Sequence, residues 1–263
     1  MSTATINNQK IAYESKGSGR PVLLVHGFPL NREMWRAQID ALATSHQVIA
    51  PDLRGFGESD PPSGDVPMAD HADDLAALLD YLQIDQPVAI AGFSMGGYVT
   101  FEFWRRHKDR VGSMMLVDTR ADADSPEKAA GRRESADRIA TEGPNFIYDG
   151  MIPNLVSNQT FNGHPELVKA IHGIMVTSSP AGVVAALKAM ADRPDSRPLL
   201  GEINVPTAVI VGSEDAISPP AEMEQIANSL QSAEFCTIPD AGHMTTMENP
   251  AAVLAAMQKH LSA

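Results

Sequence analysis

The chain has 263 residues, 43% hydrophobic and 20% charged, which suits one globular core carrying an insertion. Its 20 Lys and Arg stand against 33 Asp and Glu, and the resulting charge of −13 repels phosphate backbones and anionic lipid, so neither nucleic acid nor a membrane surface is an expected partner. A single cysteine, Cys236, excludes an intrachain disulfide. Residues Met1 to Ile6 lack a basic stretch followed by an apolar one, and no run approaches a membrane span, so a cytoplasmic location is expected.

In chain order, alternation on either side of Asn7-Asn8 predicts two short antiparallel strands at a sheet edge. Pro21-Val22-Leu23-Leu24-Val25 is a continuous apolar run, as in a strand buried on both faces, and it ends at His26-Gly27-Phe28-Pro29-Leu30. Asn31 caps a helical pattern through Trp35, Ile39 and Leu42. A strand at Gln47–Ala50, the loop Pro51–Ser59 and a helix from about Met68 to Leu82 follow. Val88-Ala89-Ile90 then forms a strand, a helix begins near Met95, and a further strand spans Val111–Val117 and stops at Asp118. Strands alternating with helices indicate an α/β fold with a mostly parallel sheet covered on both faces.

From 119 to 197 the alternation stops. Helical stretches at Glu127–Thr141, Asn145–Leu155, Pro165–Val176 and Ala181–Ala191 are divided by Gly and Pro, which predicts an inserted helical cap. Thr207–Gly212, a helix from Pro220 to Leu230, Glu234–Ile238 and a final helix Pro250–Leu261 resume the pattern, so 1–118 and 198–263 belong to one core. Cys236, in Phe235-Cys236-Thr237-Ile238, is expected at a buried strand position.

Gly92-Phe93-Ser94-Met95-Gly96 lies between a predicted strand and a predicted helix. A Gly-x-Ser-x-Gly turn in that context holds its serine in a strained conformation with the hydroxyl above the sheet, and the glycines let strand and helix nearly touch. A serine hydroxyl is a weak nucleophile without a base, and the base needs an acid to hold its tautomer. Among eight histidines, His243 follows the last strand in Asp240-Ala241-Gly242-His243 and is the expected base. His26 ends a central strand and is expected to shape its own loop, and the other six read as surface or packing residues. Asp215, just after Thr207–Gly212, gives the order Ser94, Asp215, His243 and is the preferred acid; Asp118 and Glu214 are its rivals. Backbone N–H groups of Phe28 and Met95 are the expected donors to a developing oxyanion.

As an ordered set, His26-Gly27-Phe28-Pro29, Asp52-Leu53-Arg54-Gly55-Phe56-Gly57, Gly92 to Gly97, Gly212 to Asp215 and Gly242-His243 resemble the α/β-hydrolase superfamily from about residue 20 onward. The resemblance is closest to its small carboxylesterases, cofactor-free haloperoxidases (perhydrolases) and enol-lactonases. It implies Ser94 as nucleophile, His243 as base, Asp215 as acid, Phe28 and Met95 as oxyanion donors, and neither metal nor cofactor. The Asp52–Gly57 loop is implied to be structural. Ser94 argues against the epoxide hydrolases and haloalkane dehalogenases, which use an Asp there, and Tyr148 stands alone in the cap where epoxide opening would use a pair. Phe28-Pro29-Leu30 departs from the Gly-Pro-Gly of the carbon–carbon hydrolases. Pro29 restricts Phe28 and so can move its carbonyl relative to the acyl site; in the perhydrolases that the chain resembles, a Pro here is associated with hydrogen peroxide in place of water as acyl acceptor, and the alternative is that it only stiffens the loop. Phe93, Met151 and Met175 are candidate walls of an apolar pocket for small esters or lactones. A ligand receptor on the same scaffold is the expected alternative of another class.

Overall fold

The computed structural model describes residues 2–262. Strands β1 (Ser2–Ile6) and β2 (Gln9–Lys16) are joined at Asn7 and Asn8, whose φ values of 47° and 62° put both turn residues in the left-handed region that a two-residue hairpin needs. Strand β3 (Pro21–Val25) is buried along its whole length and leads through a 3-10 turn, Arg32–Trp35, into helix α1 (Arg36–Leu42). Asn31 caps that turn, its side-chain oxygen accepting from Glu33 N–H at 2.9 Å. Then come β4 (Gln47–Pro51), α2 (Met68–Tyr81), β5 (Val88–Phe93), α3 (Met95–His107) and β6 (Val111–Val117).

Between β6 and the next strand the chain is helical: α4 (Pro126–Glu142), α5 (Asn145–Leu155), α6 (Asn158–Gly163), α7 (Pro165–Met175), α8 (Pro180–Ala191) and α9 (Arg197–Leu200). Ser125, Ser157 and Ser179 cap α4, α6 and α8, each accepting from an N–H three residues on. The remaining elements are β7 (Thr207–Gly212), α10 (Pro220–Ser229), β8 (Ala233–Ile238), α11 (Thr245–Glu248) and α12 (Pro250–Leu261). The short helices α6, α9 and α11 had no counterpart in the sequence pattern, since six residues or fewer carry too little periodicity to register. Among the described residues, no single helix is long and apolar enough to cross a membrane.

Among the described residues, eight strands form one sheet in the order β1-β2-β4-β3-β5-β6-β7-β8, antiparallel at β1-β2 and β2-β4 and parallel elsewhere. The central strands are apolar because helices cover both faces, and Val22, Leu24, Ile90, Leu116 and Val209 expose nothing. On β5 small residues meet large ones on β3: Ala89 lies opposite Val22, Ala91 opposite Leu24 and Gly92 opposite Val25. The chain leaves β3 towards β4 on one side and returns to β5 on the other, and this switch opens a crevice at the carboxyl ends of the strands. Cys236 corrects the expectation of a buried strand position. It lies on β8, the edge strand, which faces solvent along much of its length, so the cysteine is half-buried.

Candidate active site

Ser94 stands between β5 and α3 with φ 51° and ψ −115°, a conformation that a residue with a side chain rarely adopts. Close approach on both sides holds it there. A Cβ on Gly92 would strike Thr100 and the Gly96 carbonyl, and a Cβ on Gly96 would strike the carbonyls of Val25 and His26. The strained turn is fully bonded: Ser94 N–H donates to Val117 O at 2.9 Å, and Ser94 O accepts from Gly97 N–H at 2.8 Å and from the Thr119 hydroxyl at 2.7 Å.

His243 and Asp215 are joined, Nδ1–H donating to Asp215 Oδ2 at 2.8 Å, with both residues buried. Asp215 Oδ1 accepts from Ile217 N–H at 2.8 Å and Ser218 N–H at 3.0 Å. Burial alone would raise the Asp215 pKa, but the His243 charge and these hydrogen bonds outweigh it and hold the carboxyl below its usual range. An acceptor at Nδ1 fixes the tautomer and leaves a lone pair on Nε2. The imidazole sits 5.0 Å from the ring of Phe93, which meets Trp35 edge-on at 6.3 Å. Among the described residues no hydrogen bond joins Ser94 Oγ to His243.

The loop carrying His243 is anchored by Glu248, which the sequence pattern did not single out. One Glu248 oxygen accepts from Gly242 N–H at 2.9 Å and the other from Ser157 N–H at 2.8 Å, while Met244 N–H donates to Leu155 O at 2.8 Å. A side chain on Gly242 would collide with Val156 and Ser157. Glu248 lies five residues beyond His243 in a short helix, and no local pattern marks it.

Of the two rivals for the acid, Glu214 is exposed and its backbone N–H binds Ala241 O, whereas Asp118 is fully buried beside the pair. One Asp118 oxygen accepts from Gly212 N–H at 2.8 Å, and the other meets the Thr245 hydroxyl. Burial first, then the charge of Asp215, pushes the Asp118 carboxyl well above the carboxylate range. One ligand atom from each of Asp118, Asp215 and His243 falls within 4.8 Å of the others. That would suit a cation by distance, but His243 Nδ1 and Asp215 Oδ2 are already engaged by the proton between them.

After β3, His26 is fully buried, with Nδ1–H donating to Gly27 O and Nε2 accepting from Leu53 N–H, both at 2.9 Å. Burial lowers its pKa to about 4, so it stays neutral and ties two loops together. The Phe28–Pro29 peptide is cis. Among the described residues, neither Phe28 N–H nor Met95 N–H is spent on a hydrogen bond within the protein. Asp52 accepts from Arg32 N–H at 2.9 Å and Glu58 N–H at 3.0 Å and pairs with the Arg32 guanidinium, so the Asp52–Gly57 loop braces this edge. The helical segment reaches it through Ser178, whose hydroxyl donates to Pro29 O at 2.9 Å, and through Thr177, whose hydroxyl accepts from the Asn31 side chain at 3.0 Å. Phe93 and Met175 expose no surface, whereas Met151 is partly exposed. Tyr148 is buried in α5 with its hydroxyl unpartnered, and burial pushes its phenol up to about 12.

The sequence model of the alpha/beta hydrolase fold family matches residues 20–140 and 155–250. A thermophilic esterase from Thermogutta terrifontis, solved with malate bound, is 46% identical, with 99% of this chain and 97% of that one covered at a TM-score of 0.96. The enol-lactonase from Burkholderia xenovorans is 26% identical with full coverage of both chains (100% and 100%) and a TM-score of 0.92. A pimeloyl-[acyl-carrier protein] methyl ester esterase from Chromobacterium violaceum is 30% identical over 94% of this chain and 96% of its own.

Proposed function

The chain belongs to the alpha/beta hydrolase fold family, and from that premise we propose that it is a serine esterase cleaving small carboxylic esters through an acyl-enzyme. The observation that carries the reading is the His243–Asp215 pair at 2.8 Å, whose imidazole lies 5.0 Å from the ring of Phe93, the residue before a serine held at φ 51°. In this reading Ser94 Oγ attacks the ester carbonyl as His243 Nε2 takes its proton. The Phe28 and Met95 N–H groups, which have no other acceptor among the described residues, hold the oxyanion, each contributing about 3 kcal/mol to the barrier reduction. The imidazolium, stabilised by Asp215, returns the proton to the leaving alkoxide. Water, deprotonated by His243, then releases the acid and frees Ser94. Every proton is accounted for by His243, so the cycle runs without a cofactor.

Residues 119–197 act as a cap over the site, with Met151 the candidate wall that offers surface and Phe93 supporting the imidazole. The expected setting is the cytoplasm, with a small molecule as substrate. Likeness to an enol-lactonase supports lactone opening as a second use of the same steps, and Pro29 beside the donor supports hydrogen peroxide as an alternative acyl acceptor.

Turnover of p-nitrophenyl acetate and labelling by a fluorophosphonate are expected in the wild type and absent in Ser94→Ala. Equal turnover in that variant refutes the nucleophile, and saturable binding with no turnover in the wild type identifies a receptor instead. A panel of acyl chain lengths and lactone rings, with peracid formation from acetate and hydrogen peroxide, ranks the three activities.

A further inference from the structure

Asp118 and Asp215 follow neighbouring parallel strands, β6 and β7, so the topology delivers two carboxyls to one end of the sheet. Folding buries both, Asp118 completely and Asp215 to 3% exposure. Each offers an oxygen to the group of atoms within 4.8 Å that also includes a His243 nitrogen. Two buried carboxyls that close do not both ionise, and the pair keeps a proton.

Their partners decide which of the two holds it. Asp215 accepts three N–H donors, from Ile217, Ser218 and His243, and a proton on Oδ2 would displace the imidazole. Asp118 accepts one N–H, from Gly212, on one oxygen. Its other oxygen accepts from the Thr245 hydroxyl, and a carboxyl oxygen that gains a proton keeps a lone pair for that donor. A proton on Asp118 therefore deprives no donor of its acceptor, and burial favours the neutral form there. The titratable groups facing Asp118 are Asp215, from the loop after β7, and His243, from the loop after β8; Gly212, Thr245 and Ser218, which also bond it, carry no charge.

We infer that Asp118 is a neutral carboxylic acid in the resting enzyme and a positioning residue for the triad, donating its proton in a hydrogen bond to the Asp215 carboxylate. With that proton in place a single negative charge faces the imidazole. Two charges would hold the imidazolium more firmly than one does. A donor on Asp215 also lowers its basicity and keeps it from taking the proton of His243 Nδ1. Asp118 has φ 46°, a left-handed value that Asp and Asn tolerate better than other residues with side chains, so Asn is the conservative replacement.

The kinetic arm of the test rests on the esterase reading, and the spectroscopic arm does not. Infrared difference spectra of the wild type against Asp118→Asn at neutral pH are expected to show one protonated-carboxyl stretch lost in the variant. In the profile of kcat/KM against pH for p-nitrophenyl acetate, Asp118→Asn is expected to keep the acid limb within about 0.3 pH units of wild type, because its amide donates to Asp215 as the acid did. Asp118→Ala removes the donor, so Asp215 holds the imidazolium more firmly. Its acid limb should rise by roughly half a pH unit or more, with kcat/KM at least about tenfold below Asp118→Asn. Absence of the carboxyl stretch from the difference spectrum, or an acid limb in Asp118→Asn lowered by about one pH unit, would show that Asp118 carries a charge and overturn the proposal. Should Asp118→Ala fail to fold, the spectrum and the Asn profile decide. A carboxyl stretch in a protein that turns over no ester would sustain this inference while removing the esterase reading.

Discussion

Glu248→Ala isolates the anchor of the His243 loop, because the carboxylate serves two backbone donors and touches no atom assigned to the chemistry. Gly242 N–H, at 2.9 Å, and Ser157 N–H, at 2.8 Å, both lose their acceptor, and both residues are buried. A buried N–H left without an acceptor costs about 1–3 kcal/mol, so about 3 kcal/mol in total is a conservative sum for two donors that lost a charged partner. With an unfolding entropy of about 2.1 cal/mol/K per residue, a chain of 263 residues has roughly 0.55 kcal/mol/K at its midpoint, and the expected fall in Tm is about 5 °C. Loosening the loop also lets the imidazole leave its productive orientation, so kcat should drop by about ten- to a hundredfold with KM less affected. Glu248→Gln keeps one acceptor and should fall between wild type and Ala on both scales. Differential scanning calorimetry and initial rates on p-nitrophenyl acetate measure the two effects. A Tm within about 1 °C of wild type together with kcat within about twofold would refute the view that Glu248 holds this loop.

Asp215→Asn preserves shape but offers His243 an amide in place of the charge, and kcat is expected to fall about 10³- to 10⁴-fold, far more than in Asp118→Asn; the reverse ranking in stopped-flow or steady-state rates would exchange their roles. Gly96→Ala forces a Cβ into the carbonyls of Val25 and His26 and should abolish soluble expression or lower Tm by more than about 5 °C, read by thermal melting of the purified variant. Burial lowers the pKa of His26 to about 4 and of His71 to about 3, so the unfolded chain takes up both protons as pH falls below about 6.5 while the folded chain does not. Stability is therefore full above that pH and is lost by about 1.4 kcal/mol per pH unit per histidine down to about pH 4, and His71→Leu should flatten the denaturation free energy against pH by one proton's slope; an unchanged slope would show that His71 takes up its proton in the folded protein as well.

The fold was legible because its signals are local. Pro21–Val25 and Ala208–Gly212 are short apolar runs bounded by turn residues, the pattern of buried strands, and Gly92, Ser94 and Gly96 mark a turn whose geometry admits few residue types. The choice between Asp215 and Asp118 was less legible, since each directly follows a strand and the two strands are neighbours. What separates them is the set of donors, Ile217, Ser218 and His243 for one and Gly212 and Thr245 for the other, and three of those five come from another strand or loop. Glu248 and Ser178 were out of reach for the same reason. Ser157, one of the two partners of Glu248, lies 91 residues away and Pro29 lies 149 residues from Ser178, and no periodicity encodes a bond of that span. Cys236 shows the limit of composition: Phe235-Cys236-Thr237-Ile238 reads as buried, yet an edge strand packs on one side only.

On the proposed esterase reading, those long-range bonds would give the helical segment a part in the chemistry as well as in recognition. At one end Ser178 holds the Pro29 carbonyl, one peptide from the Phe28 N–H, and Ser179 N–H holds Gly55 O at 2.8 Å in the bracing loop. At the other, Leu155 O and Ser157 N–H grip the loop of His243, the second through Glu248. A shift of either end would then move the proposed oxyanion donor or the proposed base, and in a site where a misplacement of about 1 Å costs about a hundredfold in rate such shifts are expected to register in kcat. A substrate that packs well against this segment holds both ends in register, so its binding energy is drawn on at the transition state and emerges as rate instead of affinity. Selection for a new ester should then alter residues at the turns 155–157 and 177–179 as often as residues that touch the acyl chain, because the turns set where the catalytic groups stand.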